Sequence, residues 1–141
     1  QQRQSPKFFF FDLGVQRALS NTLTQSIVPN TYAYGKSFEH WVVCEIYRLN
    51  QYLKKDFKLS YLLTKDQAEI DLIIEKPNHS TFLIEIKSND SIDDRAIKTL
   101  KQFIKDIPKS QAFVLSRDKK SKLIDGVQCY YWQDGINKIF K

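Results

Sequence analysis

The stretch AEIDLIIEKPNHSTFLIEIKS, residues 68–88, decides how this chain folds. Two alternating, β-branched runs flank Pro77-Asn78-His79-Ser80, a cluster of turn-forming residues, which predicts a pair of antiparallel strands. Its charges are out of place there. Asp71, Glu85 and Lys87 interrupt runs that otherwise have the composition of buried strand, and charged groups are rarely buried without a partner or a metal. Strand side chains repeat with period two, which puts Glu85 and Lys87 on one face and Ile84 and Ile86 on the other. Asp71 faces Glu85 only if the loop holds an odd number of residues: three at Asn78 or five around it satisfy this, four do not.

In that register two carboxylates and an ammonium converge on one side of a sheet. Oxygen ligands of this kind suit Mg²⁺ or Mn²⁺, which keep several waters and use one or two carboxylates. The lysine beside them can contact a phosphate oxygen or lower the pKa of an attacking water. The competing reading is a solvated hairpin with a Glu85–Lys87 surface pair. Against it, Asp is depleted in strands, and Asp71 lies between Ile70 and Leu72-Ile73-Ile74.

Composition narrows the partners. A net charge of +6 and a pI near 9.3 favour phosphate-bearing molecules, though far less than a histone-like tail would. Cys44 and Cys129 stand far apart with no CxxC spacing, which indicates neither a zinc site nor a disulfide framework and fits a reduced, cytoplasmic setting. The longest apolar run, Phe8 to Phe11, is too short for a membrane span, and no signal peptide is visible. At 141 residues one domain is expected, residues 7–141, after a polar linker remnant at 1–6. A first residue of Gln1 and the lack of Met suggest a fragment of a longer protein; a processed or tagged chain would look similar.

Around the hairpin the other elements fall into place. Lys7–Phe11 is expected to be a strand, Asp12 the cap of a helix over Val15–Asn21, and Asn21–Tyr34 a loop. The strongest helical pattern runs from Phe38 to about Lys54, with Glu39 near its start and Glu45 three residues before Arg48. Phe57–Thr64, Gln111–Ser116 and Val127–Trp132 are expected as strands. A helix over Asp93–Lys105 would turn Ala96, Ile97, Leu100, Phe103 and Ile104 to the core, and Lys98, Lys101, Gln102 and Lys105 to water. Arg117–Lys122 is expected to be a basic loop between strands. The alternation predicts an α/β fold, a central mixed sheet flanked by helices.

An acidic residue followed about a hairpin later by Glu-x-Lys resembles the active-site motif of the PD-(D/E)xK nuclease superfamily, here Ile70-Asp71 and Glu85-Ile86-Lys87 with Ile in place of Pro. The element order is similar to its restriction-endonuclease-like core. FFFFDLG, GKSFEHWVVCEIYRL, EIDLII and FLIEIKS together resemble the C-terminal domain of bacterial and archaeal AAA-type ATPases, a nuclease-like module of unknown function. The resemblance implies a Mg²⁺-dependent (or Mn²⁺-dependent) DNA endonuclease beside an ATPase domain of the same chain. It carries the metal to Asp71, Glu85 and the Ile86 carbonyl, and places Lys87 on the phosphate. Glu39 would bind a second ion or orient water. Gln102 takes the place of a glutamine found in RecB-type relatives, but its partner tyrosine is not evident and a solvated helix face explains it better. Arg117, Lys119, Lys120 and Lys122, together with the lysines of the Asp93–Lys105 helix, would contact DNA backbone phosphates with little sequence preference. The alternative is a catalytically silent nuclease fold that binds DNA or docks proteins beside the ATPase.

Overall fold

The structure, a computed structural model, describes residue 26, residues 28–92 and residues 94–141. The expected strand at Lys7–Phe11, the Asp12 cap and the helix over Val15–Asn21 lie outside the described residues.

A 21-residue helix, α1 (Tyr32–Tyr52), precedes a meander of β1 (Lys58–Leu63), β2 (Glu69–Glu75) and β3 (Thr81–Ile86). Then come α2 (Asp94–Asp106), β4 (Ser110–Ser116), β5 (Lys122–Ile124), β6 (Val127–Tyr131) and α3 (Trp132–Phe140). The strands form one mixed sheet in the order β1-β2-β3-β4-β6-β5. Its first three strands are antiparallel, β3, β4 and β6 run parallel, and β5 folds back antiparallel on β6. This is the expected α/β class. Two buried clusters cover the two faces. Val42, Ile46, Ile136 and Ile139 of α1 and α3 pack on Leu72, Ile74, Ile84, Ile86, Phe113 and Leu115. Ile97, Leu100 and Phe103 of α2 pack on Leu83, Val114, Val127 and Cys129.

Three elements differ from expectation, each for a local reason. Helix α1 starts at Tyr32 rather than near Phe38, because Thr31 caps it. The Thr31 hydroxyl accepts from the Tyr34 N–H at 3.2 Å and donates to the Val28 carbonyl at 2.6 Å. The basic segment is shorter than expected, since Lys122 already belongs to β5. Asp125-Gly126, both at positive φ, makes the two-residue turn of the β5–β6 hairpin. The last strand ends at Tyr131, and Trp132 opens α3 instead of closing that strand. There the Trp132 ring meets Trp41 of α1 edge-on, with centroids 4.6 Å apart. Helix α3 lies so close to the sheet that a Cβ on Gly135 would run into the Leu115 side chain.

Asn50 ties the end of α1 to the start of β1. Its side-chain amide donates to the Phe57 carbonyl at 2.9 Å and accepts from the Phe57 N–H at 3.0 Å, and the residue is buried. Asn50→Ala removes both bonds and leaves the Phe57 backbone groups without their partner. Urea unfolding is expected to show a loss of about 2–3 kcal/mol.

Candidate functional site

The turn between β2 and β3 spans residues 76–80, five residues centred on Asn78 at φ 60°. That satisfies the odd-length condition, and the register Leu72↔Ile84, Ile73↔Leu83, Ile74↔Phe82 extends toward Asp71 beside Glu85. On the other side of β2 the pairing slips. Ser60 pairs with Ile73 and Leu62 with Ile70, so β2 takes one more residue than β1 across this span and bulges at Asp71–Leu72. The Asp71 carboxylate reaches the end of β3, where its Oδ2 accepts the Ile86 N–H at 2.8 Å.

The result is a cleft of about 350 Å³ at the carboxyl end of β3. It is lined from α1 by Lys36 and Glu39, from β2 by Glu69 and Asp71, from β3 and its exit by Glu85, Ile86 and Lys87, and from α2 by Arg95 and Thr99. Glu39, Asp71 and Glu85 are all buried. One ligand oxygen each from Glu39, Glu69 and Asp71 lie within 4.8 Å of one another. Lys36 Nζ sits 3.5 Å from Glu39 and Lys87 Nζ 3.7 Å from Glu85 Oε2, while the buried Glu85 Oε1 has no hydrogen-bond partner. Burial pushes the Glu85 carboxyl up to about 8, and the neighbouring Asp71 charge adds to this against the opposing pull of Lys87.

The structure thus gathers Glu39, Asp71, Glu85, Ile86 and Lys87 around one cleft. Gln102 is not among them. It stands seven residues beyond Arg95, about 10 Å along α2, exposed, with its amide donating to Asp106 Oδ2 at 3.4 Å. Glu69 also lines the cleft, a position not expected from sequence; its spacing of two from Asp71 was the available signal.

The basic segment leaves β4 at this same end of the sheet. The Arg117 N–H donates to the Asn89 carbonyl at 3.2 Å, and its guanidinium lies 5.5 Å from the Tyr34 ring centroid. Lys119 and Lys120 are exposed. Lys122, by contrast, is held by Asp118 at 2.8 Å, and Asp118 also accepts the Lys120 N–H at 3.0 Å. The segment is a turn ordered around an aspartate.

Residues 34–134 match the family described as "Domain of unknown function (DUF4143)". The matched span contains every cleft residue named above. Comparisons with curated proteins and with solved structures give no match. Among the described residues, no helix is long and apolar enough to cross a membrane.

The raised Glu85 carboxyl fixes the sign of a pH effect. Its protonated form is favoured by the fold, so its contribution to stability is full below pH 4.5 and is lost as pH rises through about 8. In chelator, Glu85→Gln is expected to be more stable than the native protein at pH 9 by a few kcal/mol, a tenfold change in proton affinity being worth about 1.4 kcal/mol. At pH 4 the two should converge. Urea midpoints at the two pH values check this.

Proposed function

The chain belongs to the DUF4143 family, and we propose that it is a divalent-cation-dependent phosphodiester hydrolase domain that acts on DNA. The observation that carries this reading is Glu85 Oε1, a buried carboxylate oxygen without a hydrogen-bond partner, in a cleft where Glu39, Glu69 and Asp71 also converge. A bare buried carboxylate is costly, and a cation offsets that cost directly. The donors are all oxygen, which suits Mg²⁺ or Mn²⁺ over zinc. Oxygens of Glu39, Glu69 and Asp71 lie within 4.8 Å of one another, and a Mg²⁺ ion at about 2.1 Å from each ligand would draw them to about 3.0 Å where adjacent and about 4.2 Å where opposite.

Asp71 and Glu85 would hold the ion beside the Ile86 carbonyl, with Glu39 and Glu69 completing the acidic wall. When bound, a divalent cation supplies Lewis-acid polarisation of a phosphoryl oxygen and acidifies a water. The Ile86 N–H fixes one Asp71 oxygen, which orients the other. Lys87 is half-exposed and lies against Glu85; shifting its ammonium to the phosphate would stabilise charge developing there. Arg117, Lys119 and Lys120 would hold flanking phosphates without reading bases. An ATPase domain in the same chain is the partner this reading carries, supported by the sequence resemblance alone. A silent docking module draws support from Lys36 and Lys87, which partly neutralise Glu39 and Glu85 without any cation.

Calorimetric titration with Mn²⁺, paired with plasmid nicking, separates the readings. The native protein is expected to bind Mn²⁺, Asp71→Ala to lose the heat, and Glu69→Gln to bind more weakly. Lys87→Ala should keep the heat and lose nicking by about 10²-fold or more. Equal heats from native and Asp71→Ala would remove the site. Binding without nicking would leave the silent module.

A further inference from the structure

The outer side of α2 carries charge that its folding does not require. Arg95, Lys98, Lys101 and Lys105 are exposed, while Ala96, Ile97, Leu100 and Phe103 are buried on the opposite side. Between Asp94 and Asp106 this helix contains no acidic residue. Apart from Lys98, which follows Asp94 by four, these cations lack the helix carboxylate three or four residues away that makes an ordinary salt-bridged surface. Their own spacings of three and four set like charges side by side, where they repel. Arg95 in the first turn also works against the helix dipole. Lys101 lies 3.7 Å from Asp125, an exposed pair of the kind that contributes little and is screened by salt. Four like charges on one side of a 13-residue helix suit a polyanion better than they suit the helix.

Their placement gives that polyanion a direction. Arg95 lines the acidic cleft. Lys98, Lys101, Gln102 and Lys105, with Asp94 at the start of the helix, line a second depression, of about 390 Å³, between α2 and Asp125 of the β5–β6 turn, where three ammonium groups outnumber two carboxylates. From Arg95 to Lys105 the rise is about 15 Å, or roughly four steps of a duplex strand at about 3.4 Å each. Gln102, seven residues after Arg95, lies on the same side of α2 and so joins the two depressions along one line.

We infer that the outer side of α2 is a track for the sugar–phosphate backbone of a DNA strand leaving the cleft, with Arg95 at its near end and Lys105 at its far end. The identity of the cleft rests on the hydrolase reading above; the track rests on the charges of α2 themselves. Phosphate contacts carry no base information, so the track is indifferent to sequence.

Fluorescence polarisation with labelled single-stranded DNA, a dinucleotide and an oligomer of about twelve nucleotides, tests this on the whole chain in Ca²⁺. Lys98→Glu/Lys105→Glu, with a native circular dichroism spectrum, should bind the longer oligomer at least about tenfold more weakly. Its log–log salt dependence should be shallower by about 0.7 for each phosphate no longer neutralised, and dinucleotide binding should be unchanged. Lys98→Ala/Lys105→Ala should show the same effects in smaller measure, which guards against misfolding by charge reversal. Equal affinity of native and variant for the longer oligomer, or no binding of it at low salt, would overturn the track. So would equally tight binding of a polyglutamate peptide, which would point to an acidic protein instead. If Mn²⁺ gives no heat and yet the longer oligomer still depends on these lysines, the track stands and the hydrolase reading falls.

Discussion

Carboxylates placed side by side inside a sheet lose their water and repel one another, and this molecule is built around that cost. Glu85 lies on β3, an interior strand paired on both sides, where no solvent reaches its Oε1. The surroundings offset the charge only in part. Lys87 leans on one oxygen from 3.7 Å, and Asp71 is supplied with the Ile86 amide. The rest of the fold brings more acid to the same place, Glu39 from α1 and Glu69 from β2. A fold that only needed a core would have put leucine there. Convergence of acids from two neighbouring elements on a buried, under-satisfied carboxylate of a third is the pattern by which functional sites store unfavourable electrostatics.

Much of this arrangement is legible in the sequence. Charged residues inside apolar strands single out Asp71, Glu85 and Lys87, and period-two reasoning puts the last two on one face. The apolar stripe of α1 places Glu39 on a helix that packs on the sheet, and the spacing of Glu45 and Arg48 foretells their ion pair, seen at 2.6 Å. The parts that escape have physical causes. Glu69 is the first residue of β2, one residue beyond the polar Lys65-Asp66-Gln67 turn, so it reads as the edge of the strand and not, like Asp71, as an interruption inside an apolar run. The bulge at Asp71–Leu72 arises from pairing with β1, which no local pattern encodes. Gln102 rests on analogy, and angular position on a helix says nothing about height along it. Trp132 has strand propensity, but its contact with Trp41, a residue far away in sequence, decides its place at the start of α3.

The two faces of the sheet divide the labour. The α1–α3 face holds the larger apolar cluster, with Phe57 stacked on Phe140 of α3 across the layers and Phe82 against Phe113 within the sheet. The other face carries α2 alone among the described helices, and α2 is amphipathic in the plainest sense: aliphatic inward, basic outward. One helix thus closes a core and charges a surface, and its first turn reaches the cleft.

The five-residue turn at the far end of the hairpin has a bearing on how such a chain tolerates change in length. It lies away from the cleft, exposed at Pro77 and Asn78, the kind of place where loops accept insertions. Yet it sets which face Asp71 shares with Glu85. Adding a pair of residues preserves that relation; adding a single one rotates the whole of β2 by half a period unless a compensating bulge absorbs it. Length variation at this turn is therefore free in magnitude and constrained to even increments, so that a remote, solvent-facing loop acts as the counting device for a site it never touches.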